Sequence, residues 1–82
     1  MSQGVTFGWR ETKKDQFEVV VGEFLGAVSR KEGSVVWDWS VTVMAGTSLP
    51  VNRTIQRKTA ASQGGAQAAA EDAIGYYLAN GF

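Results

Sequence analysis

The stretch that decides the fold is Ser34-Val35-Val36-Trp37-Asp38-Trp39-Ser40-Val41-Thr42-Val43-Met44. Its odd positions, Val35, Trp37, Trp39, Val41 and Val43, are all apolar, while Val36, Asp38, Ser40, Thr42 and Met44 are mixed. Successive side chains of a strand point to opposite faces. This period of two therefore predicts a central strand whose odd face meets the core.

Toward the N-terminus the same parity continues. Phe17, Val19 and Val21 share a face, and Gly22-Glu23 suits a two-residue type II′ turn, which takes glycine first. That turn sets Val21 opposite Phe24, Val19 opposite Gly26 and Phe17 opposite Val28. A four-residue loop at Lys31-Glu32-Gly33-Ser34 then pairs Arg30 with Val35, Val28 with Trp37, Gly26 with Trp39 and Phe24 with Val41. Glycine opposite tryptophan leaves room for an indole ring. Both hairpins place their apolar residues on one face, and a slip of one residue would scatter them. Further out, Val5, Phe7 and Trp9 alternate with Thr6, Gly8 and Arg10, predicting a first strand, with Thr12-Lys13-Lys14-Asp15 as a polar turn.

Toward the C-terminus, Ala45 to Pro50 reads as a loop and Val51 to Lys58 as a last strand. Its inner face carries Val51 and Ile55 with Arg53 and Arg57 at the margins. Asn52, Thr54, Gln56 and Lys58 make a polar outer face suited to a sheet edge. The texture then turns alanine-rich. Ser62 is a natural helix N-cap, and Ala66, Ala69, Ala70, Ala73, Ile74, Tyr77 and Leu78 follow the spacing of a buried helical stripe. Glu71 and Asp72 fall on the opposite side, and Asn80-Gly81 supplies a stop. Gly64 and Gly65 cost roughly 1 kcal/mol each against alanine, which moves the expected helix start toward Ala66. The expected fold is α+β: an antiparallel four- or five-stranded meander sheet with one C-terminal helix packed on one face, against Trp37 and Trp39, in a single domain over residues 1–82.

Composition narrows the function. The 82 residues include no cysteine and no histidine. Disulfides, thiolate nucleophiles and the commonest general base and metal ligand are thereby excluded. Eight Lys+Arg balance eight Asp+Glu, where a dedicated nucleic-acid or anionic-membrane binder shows a basic excess. No apolar run approaches the ~20 residues that span a bilayer. Met1-Ser2-Gln3-Gly4 lacks the basic and apolar regions of a secretory signal, so a cytoplasmic protein is expected.

The carboxylates Glu11, Asp15, Glu18, Glu23, Glu32, Asp38, Glu71 and Asp72 are scattered among polar and turn residues, as solvated surface charge is. No dinucleotide or P-loop glycine pattern occurs, and Gly64-Gly65 reads as a flexible lead into the helix. No catalytic, metal or cofactor-binding residue is assigned, and the protein is expected not to be an enzyme. Trp37 and Trp39 share the apolar face and read as core rather than as a stacking platform. One helix covers only one face of a sheet. The second face, with Val20, Leu25, Ala27, Val36, Thr42 and Met44, is expected to stay open. Of these, Val20, Leu25, Val36, Thr42 and Met44 are the candidate partner-binding residues, for a host protein or a second copy in a homodimer. The alternative is nucleic-acid or nucleotide binding through a basic edge strand, with Arg53, Arg57 and Lys58 as anion contacts, joined by Arg10, Lys13 and Lys14. Edge protection against aggregation accounts for the same charges and carries more weight.

Ala61-Ser62 through Ala66, Ala68-Ala69-Ala70-Glu71 and Ala73, with Leu78 near the end, resembles the last helix of a double-stranded RNA-binding domain. In that family a three-stranded sheet leads into a Ser-capped, Ala-rich helix whose first lysines hold phosphates. Here those positions are Gln63, Gly64 and Gln67, and strand-like sequence stands where the family has its N-terminal helix. The likeness covers about twenty residues, and it implies a shared sheet-plus-helix shape without the activity. In size and texture the whole chain is similar to short accessory proteins of phages and prophages, some of which inhibit host proteins. That resemblance implies a binding role.

Overall fold

The computed structural model describes residues 7–46 and 50–82. Its elements run β1 (Arg10–Lys13), β2 (Gln16–Val21), β3 (Phe24–Ser29), β4 (Trp37–Val43), β5 (Arg53–Ala60) and α1 (Gln63–Asn80). The strands form one antiparallel sheet in the order β1-β2-β3-β4-β5, a meander, and α1 packs across one face. The expected α+β architecture is the one observed.

The β2–β3 hairpin has the register read from the sequence, with Val21 opposite Phe24, Val19 opposite Gly26 and Phe17 opposite Val28. Gly22 sits at φ +61 and Glu23 is not in the left-handed region, as a type II′ turn requires. The next hairpin is corrected by two residues: Val28 faces Trp39, Gly26 faces Val41 and Phe24 faces Val43. A shift of two leaves every side chain on its face, so the apolar pattern survives. The strand begins at Trp37 rather than Ser34. Val35, expected in the core, is 84% exposed in the connection.

The first strand is also displaced. β1 is Arg10–Lys13, four exposed residues, so Phe7 and Trp9 precede it, while Val5 and Thr6 lie outside the described residues. The turn is Lys14-Asp15, with Asp15 at φ 59, a conformation Asp tolerates better than most residues.

The last strand starts at Arg53, and Val51 is exposed. It holds a bulge: Val41 pairs with Gln56 and Thr42 with Thr54, leaving Ile55 as the extra residue. The bulge reverses the faces beyond it. Ile55 packs against the core, and Gln56 also turns to the helix side, where its Oε1 accepts from the Tyr77 hydroxyl at 2.8 Å. Lys58 therefore follows the helix side and Arg57 the other, the reverse of plain alternation.

Val19, Phe24, Val28, Trp39, Val41 and Val43 from the sheet and Ala66, Ala70 and Ile74 from the helix form the core. The helix lies over β3 and β4 and reaches β5. It starts at Gln63 despite Gly64 and Gly65, because the Ser62 hydroxyl accepts from the Gly65 N–H at 3.0 Å. At its end Gly81 takes φ +85 and donates to the Tyr77 carbonyl. Leu78, expected in the buried stripe, is 43% exposed. Glu71, expected on the solvent side, is half-buried and accepts from Trp9 Nε1 at 2.7 Å.

Candidate functional site

The register places the residues of the uncovered face in three rows. Val20 (β2), Leu25 (β3), Thr42 (β4) and Thr54 (β5) form the first. Thr42 and Thr54 join their hydroxyls at 3.0 Å across it. Arg10, Glu18, Ala27, Ser40 and Arg57 form the second, crossing all five strands. Gln16, Ser29, Asp38 and Thr59 form the third. The face is thus apolar and hydroxyl-bearing at one end and polar at the other, with small side chains along β3 and β4.

Neither α1 nor any other described element packs on this face. Val20 is 56% exposed, and Leu25, Ala27 and Thr42 are half-buried by their strand neighbours alone. Of the expected partner-binding residues, the structure brings Val20, Leu25 and Thr42 into one row. Met44 follows β4 at the same end, tied by its N–H to the Glu23 carbonyl at 2.7 Å. Val36 is separated from them: it precedes β4 at the opposite end, 42% exposed in the connection.

The expected cationic site is divided. Arg57 stands on the open face opposite Ser40. Arg53 lies opposite Val43 and Lys58 opposite Trp39, both on the helix side. The three do not converge on one ligand. They flank the free edge of the sheet on both sides, the arrangement that discourages edge-to-edge pairing.

At the polar end two shallow depressions of about 490 and 310 Å³ adjoin, sharing Ser29, Lys31 and Asp38. Arg30 lines the larger of the two. Its guanidinium lies 5.4 Å from the centroid of the Trp37 ring, donates to Asp15 Oδ2 at 2.8 Å and to the Ser34 carbonyl at 3.2 Å, and its N–H reaches the Asp15 carbonyl at 3.1 Å. One side chain thereby ties the β1–β2 turn to the β3–β4 connection. Sequence pattern alone does not single out the Asp15–Arg30 pair. The signal was present in the β2–β3 register, since pairing Gln16 with Ser29 brings residues 15 and 30 opposite each other.

Comparison of the chain with protein-family models, curated proteins and solved structures returns no match.

Proposed function

We propose that the protein is a non-enzymatic protein-binding module whose contact surface is the uncovered sheet face, around Val20, Leu25, Ala27 and Thr42. The observation that carries this reading is the row Val20–Leu25–Thr42–Thr54: apolar and hydroxyl-bearing side chains in register across four strands, with no described element over them. An uncovered sheet face that mixes apolar and hydroxyl-bearing side chains is a surface on which another protein can dock. The depressions at the polar end of this face are shallow and open rather than enclosed, which suits contact with another surface. An accessory or inhibitor role on a host protein is the form of binding that this reading proposes.

The test is Leu25→Glu, which places a charge at the centre of that row without touching the core. The variant keeps wild-type circular dichroism and unfolding midpoint and loses association. Association is read with purified components, either as self-association in sedimentation or as binding of a purified partner. Retained association in the folded variant would sink the reading.

A further inference from the structure

We infer that the occupant of the open sheet face is a second copy of this chain, stacked face to face about a two-fold axis that runs parallel to the strands between β3 and β4. The inference rests on the binding-face reading above and adds its partner and geometry. Its basis is the charge order of the second row. Glu18, Ala27, Ser40 and Arg57 stand on β2, β3, β4 and β5, so the acid and the base lie equally far from the line between β3 and β4, while Arg10 ends the row on β1, beside Glu18 and beyond the four strands that this axis overlays. Among the described residues neither Glu18 nor Arg57 belongs to an ion pair.

Rotation about that line lays each row over the same row of the other copy, reversed. Glu18 then meets the partner's Arg57, and by symmetry Arg57 meets the partner's Glu18. Ala27 meets the partner's Ser40, and Leu25 meets the partner's Thr42. An isologous interface needs this kind of self-complementarity. The competing axis, across the strands through the second row, stacks Arg57 on its own copy and Glu18 on its own copy. It also sets the apolar first row over the polar third row. Like charges facing each other oppose that arrangement, so the charges select the first axis. The small side chains of Ala27, Ser29 and Ser40 at the centre allow two sheets to approach to the ~10 Å at which sheets pack. Aligned sheets cross at about 30°, which leaves the central pairs closest in register and assigns the outer ones to the long, flexible Glu18 and Arg57.

The experiment is sedimentation equilibrium on wild type, Glu18→Arg, Arg57→Glu and the double exchange, with circular dichroism to establish folding. Wild type is expected to be dimeric. Each single reversal weakens the dimer by at least about tenfold, and the double exchange recovers part of the loss, because it restores opposite charges across the axis while the new arginine at position 18 stands beside Arg10. Should a charge variant fail to fold, Ala27→Arg gives an independent reading: a bulky cation at the centre of the interface leaves a folded monomer. A double exchange no tighter than the single reversals overturns the proposed axis. A monomeric wild type at high micromolar concentration overturns the second copy as occupant. In that case, binding of a purified foreign protein that Leu25→Glu abolishes keeps the binding-face reading standing, and absence of any such binding removes both.

Discussion

Gly26 is the point where two strands, the helix and the N-terminal segment come closest. A Cβ there would lie 2.9 Å from Val19 Cγ1, 3.1 Å from Ile74 Cδ1 and 3.5 Å from the Trp9 ring. The glycine does accommodate an indole, as its place in the sequence implied, but the ring is that of Trp9 and the cross-strand neighbour is Val41. Gly26→Ala should cost about 1–3 kcal/mol, the usual penalty for overfilling a packed site, measured as a fall in the urea midpoint. Gly75, within the helix and with open space around its Cα, should behave oppositely: Gly75→Ala should stabilise by about 0.5–1 kcal/mol. Arg30 supplies a second contrast. Its partly exposed ion pair contributes little alone, but the planar fork also bonds Ser34 and covers Trp37. Arg30→Ala should cost about 1–2 kcal/mol, and Arg30→Lys most of the same, since the ammonium keeps the charge and loses the fork. Equal stability of Arg30→Lys and wild type in chemical denaturation would refute that division.

At the scale of the element, the helix depends on its first turn. Gly64 and Gly65 weaken it, no acidic residue stands there, and Ser62 provides the N-cap. Ser62→Ala should therefore cost about 1 kcal/mol and fray residues 63–66, visible as faster amide exchange there than in residues 70–74. The elements also show what a sequence specifies and what it leaves open. Alternation of apolar residues determines which face a side chain takes, and it made the sheet, the helix and the β2–β3 turn legible. It is blind to slips of two, so the β3–β4 register was misread, since Trp37 and Trp39 serve equally well by pattern. It is blind also to a bulge. Ile55 is apolar and faces the core under either reading, and nothing in Arg53-Thr54-Ile55-Gln56-Arg57 marks the extra residue. That bulge decides the candidate site, because it carries Arg57 to the open face.

Across the whole molecule, the two faces of the sheet divide the labour. The helix side holds every fully buried side chain among the described residues. The other side presents an apolar and hydroxyl-bearing row, a charged row and a polar row in turn. The uncovered face followed from counting one helix against one sheet, whereas the order of charges along its second row needed the observed pairing. The free edges are treated differently. β1 is short and irregular around Thr12, and β5 is flanked by cations. Both suit a molecule that avoids edge-to-edge pairing.

The contact between Trp9 and Glu71 has a consequence for the order of folding. Most of the architecture is built from neighbours in sequence, hairpin by hairpin and then the helix, and such topologies fold quickly. The Trp9–Glu71 bond instead joins groups 62 residues apart, across nearly the whole chain. It closes a loop whose entropic cost is met only once sheet and helix are both in place. The indole is thus expected to engage last and release first. Trp9→Phe should leave the refolding rate nearly unchanged in stopped-flow experiments and speed unfolding severalfold, and a slowed refolding limb would place the contact in the nucleus instead.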